Sequence, residues 1–294
     1  NKKNNKIIIK RDKKDYLISS KIFDGSTFLD EILKGDNDKG ITSFFTNLNS
    51  KFKINIDKVF IEGNDFLISF KSDIQYKKNN LENLNLSGNF ADNKKLTLTI
   101  RTNENNEKIT TLYAENAKPL VKKYKFIKGF EEGYLDFYSV KKNNFSKSKL
   151  KINDFKLKEV PALTKILTLA SLQGIADLLT GEGIRFNEFE MDFSNKKNLM
   201  TIHEIYSIGP AISLMMEGYI QGEELVSLKG TLVPATTLNK FVGSIPFLGK
   251  ILVGKKTGEG VFGVSFKIKG PPKNLKTTVN PIKTLTPRFI TRTL

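Results

Sequence analysis

From Phe52 onward, apolar and polar residues change places at nearly every step, in short runs broken by Gly, Asn, Asp and Lys. Phe66, Ile68 and Phe70 alternate with Leu67, Ser69 and Lys71, and Leu84 and Leu86 lead toward Phe90. Leu96, Leu98 and Ile100 then alternate with Thr97, Thr99 and Arg101. The pattern continues through Leu135 and Phe137, Ile184 and Phe186, Ile212, Leu214 and Met216, Val226 and Leu228, and Phe262, Val264, Phe266 and Ile268. A period of two puts successive side chains on opposite faces, so these runs predict strands with one apolar face each. Turn residues recur at about the 8–12 residue spacing of meandering antiparallel sheets, which predicts a mainly β protein. A sheet with one apolar face must bury it against a second layer, close on itself or be covered.

Two segments break the period of two. Residues 161–180 predict one helix, with Pro161 in the first turn and Gly181 as the stop. Leu163, Ile166, Leu167 and Ala170 share one side, and Leu169, Leu172, Ile175, Ala176 and Leu179 widen the apolar arc. Residues 238–253 gather Phe241, Val242, Ile245, Phe247, Leu248, Ile251 and Leu252 around Pro246, predicting two short helical turns or a kinked helix. Both segments are candidate lids over the sheet. Among the first fifty residues, 26–33 and 41–48 are candidate short helices. One long domain or two blended ones fit the length and both stay open; the division into 1–150 and 151–294 follows only from the resemblance given below.

Composition removes several functions. With no cysteine there are no disulfides, thiolate metal sites or thiol nucleophiles. The single histidine, His203, cannot build a two-histidine metal site, and no G-x-S-x-G elbow exists to recruit it to a triad, so its role reads as structural. Glu188, Glu190 and Asp192 alternate with Phe189, Met191 and Phe193, which predicts three carboxylates side by side on a solvent face. Residues 258–263 match G-x-G-x-x-G, but they open an alternating strand where a dinucleotide fingerprint opens a helix. Residues 249–255 have phosphate-loop spacing, with Lys256 where Ser or Thr would hold magnesium. Neither motif supports a cofactor, and no metal site or catalytic residue is expected. The net charge is +17, from 48 basic and 31 acidic residues. Lys, Asn and Ile are abundant together, as AT-rich codons produce, and the lysines are scattered over turns with no stripe for a phosphate backbone to follow, so no nucleic acid is expected. No run approaches the roughly 18 apolar residues of a membrane span. The chain opens on Asn1 with no signal peptide, which reads as a piece of a larger protein whose membrane anchor lies upstream.

Specific strings add to this. VPALTKILTLASLQGIADLLTGEGI at 160–184 is followed by SIGPAISLMMEGYI at 207–220, LKGTLVPATTLNKFVGSIPFLGKILVG at 228–254, GEGVFGVSFKIKGPP at 258–272 and VNPIKTLTPRFITR at 279–292. In this order the blocks resemble the C-terminal region of large AsmA-like bacterial envelope proteins. Two positions depart from that pattern: Pro287 is followed by Arg288 where the family usually has glycine, and Asn274-Leu275 stands where an acidic residue and proline are common. The resemblance covers residues 150–294; the first half joins it only through its β-pattern.

The resemblance implies a long twisted antiparallel sheet curled into an open apolar groove, with one or two capping helices. It also implies a periplasmic location, an inner-membrane anchor upstream and a C-terminal end near the outer membrane. The implied function is non-enzymatic: phospholipid acyl chains, at about 0.8 kcal/mol per buried CH₂, pass along the groove between the two membranes. The residues expected to line it are Leu96, Leu98, Ile100, Leu135, Phe137, Phe186, Ile212, Leu214, Met216, Val226, Leu228, Phe262, Val264 and Phe266. Leu163, Ile166, Leu167, Leu172, Phe241, Phe247, Leu248 and Ile251 are expected to cap the groove or touch a membrane surface. The competing expectation is a lipid-free periplasmic scaffold that assists outer-membrane protein assembly or envelope organisation through protein partners.

Overall fold

A computed structural model describes residues 6–26, 49–77, 80–122, 129–234 and 263–282. The protein is mainly β, with 69% of residues in strands and 10% in helices. The strands are β1 (Ile8–Asp12), β2 (Asp15–Asp24), β3 (Ser50–Glu62), β4 (Asp65–Lys77), β5 (Asn80–Phe90), β6 (Lys95–Thr102), β7 (Lys108–Ala114), β8 (Gly129–Lys142), β9 (Phe145–Lys158), β10 (Ile184–Lys196), β11 (Leu199–Ile208), β12 (Ile212–Gln221), β13 (Leu225–Pro234), β14 (Gly263–Gly270) and β15 (Lys276–Ile282). The helices among the described residues are α1 (Lys118–Val121), α2 (Pro161–Leu169) and α3 (Gln173–Thr180). The strands stand in the sheet in chain order, with β1 and β15 as its open ends. The mainly β class with short helices is as expected.

The chain forms two compact units. The first comprises Asn1–Lys123 and Tyr134–Ser146; the second comprises Tyr124–Gly133 and Lys147–Leu294. Two-residue hairpins join several neighbouring strands. Lys13, Asn143 and Lys197 take positive φ there, the conformation whose twist matches that of the flanking strands.

Three expectations about the elements need correction. The sheet is not wholly antiparallel, because β2 pairs with β3 in parallel. Alternation within a strand cannot reveal this, since it carries no information about a partner's direction. At the start of β4, over residues 66–70, the buried residues are Leu67 and Phe70, at 1% and 6% exposure, and Phe66 and Ile68 are only half-buried. Ser69 has φ +52° and the register with β5 shifts between Ile68 and Lys71. This bulge reverses the face on which the residues after it lie. The single helix expected over 161–180 is two helices. Ser171, at φ +59°, ends α2: its N–H donates to the Thr168 carbonyl at 3.0 Å and the Leu172 N–H donates to Leu167 at 2.8 Å. That bond pair is a Schellman cap with serine where glycine is usual, so the break falls before Gly174.

In the second unit, α2 packs against α3 and against β15. The helix leaves the end of β9 yet meets a strand five places along the sheet from β10. In the first unit α1 reaches β3, and Lys122 just beyond it pairs with Asp65 at 3.1 Å.

Candidate functional site

Strand register brings side chains from successive strands into rows that run across each sheet. In the first unit one row reads Ile9, Ile18, Ile54, Ser72, Leu86, Leu98, Leu112 and Phe137, each residue directly opposite the next. A second passes through Phe52, Ile74, Leu84 and Ile100, and a third through Gly88, Leu96, Ala114 and Leu135. Strand alternation places all three on one face. Leu96 and Leu98 are wholly buried, and Ile100, Leu112 and Leu135 nearly so. Tyr76 lies edge-on to Phe52 within this face, and burial pushes its hydroxyl pKa up to about 12.

The second unit repeats the arrangement. One row reads Phe189, Ser207, Leu214, Leu232 and Val264; its neighbour reads Met191, Ile205, Met216, Gly230, Phe266 and Val279. Gly230 is a packing requirement: a Cβ there would stand 2.6 Å from the Phe266 ring and 2.7 Å from Met216 Cγ. The third row holds Leu228 opposite Ile268, and Ile212 and Val226 lie on the same face by alternation. Phe186 belongs to a stack with Phe155 and Phe130, with ring centroids 5.4 Å apart at each step.

Among the described residues, the expected lining residues other than Phe186 share one face within their own unit; Phe137, Met216 and Leu228 are half-buried and the others, Phe186 included, are buried. Phe262 falls outside the described residues, as do Phe241, Phe247, Leu248 and Ile251. Leu163, Ile166 and Leu167 are buried at 7% exposure or less. Leu172 is half-buried, and the exposed leucines of the helix pair are Leu169 and Leu178. Sequence reasoning left out Ser72, Leu112, Ser207, Leu232 and the β1–β2 isoleucines. The signal available for Leu112 and Leu232 was their alternation with Thr111 and Tyr113, and with Thr231.

The carboxylate expectation is also corrected. Glu190 and Asp192 do share a face, since Lys149 reaches both at 2.6 and 3.6 Å, but Glu190 is only 8% exposed. Lys151 holds its other oxygen at 2.8 Å. Burial alone would raise the Glu190 pKa; the hydrogen bonds from Lys149 and Lys151 outweigh it and hold the carboxyl below its ordinary value. The hydrogen bond to Glu190 likewise raises the Lys149 pKa. This cluster ties β9 to β10 electrostatically. His203 bonds through Nε2 to Ser194 Oγ at 2.9 Å across β10 and β11, where the register slips, and among the described residues no carboxylate orients the ring.

Depressions among the described residues include two at the surface, the second of which borders Tyr76. One of about 460 Å³ lies between α2 and α3, beside Thr164, Lys165 and Thr180. The other, about 380 Å³, lies beside Lys14, Ser50 and Tyr76. Among the described residues no cluster of His, Asp and Glu could hold a metal, and no helix is long and apolar enough to cross a membrane. By fold and site the protein is a many-stranded open β-sheet whose apolar face is organised in rows across the strands. Comparison with family models, curated proteins and solved structures returns no match.

Proposed function

We propose that the chain is a non-enzymatic segment of an AsmA-like phospholipid conduit that spans the periplasm between inner and outer membranes. The observation that carries this reading is the direction of the rows. An ordinary core needs only apolar residues on one face. A conduit needs them at one level on strand after strand, so that an acyl chain travels in the direction in which the sheet adds strands. The row from Ile18 to Phe137 does this over seven strands with Ser72 as its one polar member, and the Met191–Val279 row does it over six. Each CH₂ drawn from water onto such a row gains about 0.8 kcal/mol, and no covalent chemistry is needed.

A second reading, the lipid-free envelope scaffold, is favoured by a different observation. Leu96, Leu98, Ile212 and Leu232 have no exposed surface at all, so the rows are filled by their own side chains in this conformation. A conduit must open this face to load lipid. Gentle native mass spectrometry of the purified chain separates the two. Phospholipid held at reproducible stoichiometry, and lost in Leu214→Asp while strand content by circular dichroism is kept, supports the conduit. A lipid-free, monodisperse protein that also fails to take up phospholipid from vesicles rejects it in favour of the scaffold.

A further inference from the structure

Register gathers on one face of the second unit lysines that the sequence scatters. Lys229 on β13 stands directly opposite Lys267 on β14, and Lys269 on β14 stands directly opposite Lys276 on β15. Opposite residues have Cβ atoms about 5 Å apart, and like charges in that relation destabilise a sheet. On their strands these lysines alternate with Leu228, Phe266 and Ile268, so they lie on the face opposite the apolar rows. All four are exposed, Lys229 with 65% of its side chain in water. The strands β13, β14 and β15, with the turn between the last two, hold a fifth lysine, Lys273, and no acidic residue. Glu217 on β12 pairs with Lys229 at 2.8 Å, and among the described residues Lys267, Lys269 and Lys276 have no ion-pair partner. The other acidic residues between Ile212 and Pro234 are Glu223 and Glu224 in the β12–β13 turn, where Glu224 accepts a hydrogen bond from Gln221.

We infer that this lysine face is a docking surface for an anionic phospholipid membrane, with the ammonium groups on the lipid phosphates and Tyr219 at the level of the headgroups. The inference goes beyond the conduit: it serves a lipid-free scaffold equally, and the face that holds the apolar rows takes no part in it. Facing like charges cost stability in the free protein, and an anionic surface offsets that cost. The cations here are all lysine. Ammonium groups on flexible stems are point charges that follow a fluid array of phosphates, whereas arginine forks suit fixed, bidentate partners. The lysines spread over three strands in two rows, an area where a nucleic-acid backbone would follow a stripe. Tyr219 stands opposite Ser227, which stands opposite Lys269, and is 37% exposed. Its apolar ring and polar tip suit a boundary that is apolar on one side and wet on the other.

The test is co-sedimentation of the intact chain with vesicles of phosphatidylglycerol and phosphatidylcholine in equal parts, set against vesicles of phosphatidylcholine alone. Wild type is expected to sediment with the first and not with the second, and to be released as salt rises. The triple variant Lys267→Gln, Lys269→Gln, Lys276→Gln should weaken the partition by roughly fivefold per lysine, about 100-fold in all. A matched triple variant at exposed positions of the first unit, Lys51→Gln, Lys53→Gln, Lys71→Gln, removes the same charge and should change it less than about twofold. Without any lipid, Lys267→Gln alone should raise the urea midpoint, because it removes a facing like charge. Equal sedimentation with both vesicles, an equal loss in the two triple variants, or a lowered urea midpoint for Lys267→Gln overturns the inference. So does a duplex RNA that displaces wild type from the anionic vesicles at about 0.15 M salt, which makes nucleic acid the partner. Vesicle binding that stays intact in a protein that carries no phospholipid rejects the conduit and leaves this docking surface standing.

Discussion

The two units bury an apolar face by the same cross-strand device but hold their sheets together differently. The first relies on apolar packing: Leu86, Leu98 and Leu112 stand in register on three adjacent strands, Phe52 meets Tyr16 and Tyr76, and the ion pairs described around it, such as Lys77–Glu82 and Lys142–Glu107, lie at the surface. In the second unit a carboxylate at 8% exposure is gripped by two lysines, and three phenylalanines stack across β8, β9 and β10. Aliphatic packing is indifferent to pH; a buried carboxylate clamped by lysines is not. One sheet can thus rest on pH-blind packing in one part of a chain and on titratable pairing in another.

The largest effect should come from breaking the first unit's row. Leu98 is wholly buried between Leu86 and Leu112, so Leu98→Ala removes methyl groups that neighbours on both sides cannot replace. The expected loss is about 2–5 kcal/mol. Urea unfolding, followed by amide exchange in β5–β7, should show a cost that is the same at neutral pH and at about pH 4. A cost that changes with pH would show that charge contributes to this unit after all.

Glu190→Gln should act in the opposite manner. The native Glu190 carboxyl has a depressed pKa, so the unfolded chain binds its proton more readily. The stabilisation is therefore complete above the ordinary carboxylate value and is lost as pH falls through the depressed one. At neutral pH the substitution should cost about 1–2 kcal/mol. This is below the figure for a sealed ion pair, because Lys149 and Lys151 keep about two-fifths of their side-chain surface in water. Once pH falls below the depressed value, wild type and variant should converge, measured as urea midpoints across the acid range. A cost that persists unchanged at low pH would mean that Glu190 acts through packing and not through charge.

Legibility from sequence follows the same division. Where alternation runs without a bulge, as from Leu84 through Ile100, the buried face is readable residue by residue, because two-residue periodicity is the only information needed. At Ser69 a polar residue in left-handed conformation reverses the faces, and nothing in Phe-Leu-Ile-Ser-Phe announces it. Ser171 hides a helix end in the same way, since glycine is the usual signal. Glu190 was misread for a different reason: its burial comes from lysines on another strand, and cross-strand neighbours are not encoded in local pattern. The parallel pairing of β2 with β3 is likewise a property of partners. Of the candidate site, the rows' own residues were largely legible from alternation. Their alignment across strands was not, because a one-residue slip would scatter them.

The finest test compares one serine from each long row. Ser72 stands between Ile54 and Leu86 at 3% exposure, and its hydroxyl has no partner among the described residues. Ser207 stands between Phe189 and Leu214 at 2% exposure, and its hydroxyl donates to the Glu188 carbonyl at 2.9 Å. Removing an unsatisfied buried hydroxyl recovers a desolvation cost, whereas removing a satisfied one forfeits a bond and orphans its acceptor. Ser72→Ala should accordingly be neutral or stabilising by up to about 1 kcal/mol, and Ser207→Ala should destabilise by about 1 kcal/mol. Opposite signs, read from urea midpoints at neutral pH, would confirm that the rows differ in how they treat a polar residue. If Ser72→Ala instead destabilises, its hydroxyl has a bound water as partner, and the first unit's face is less dry than its leucines suggest.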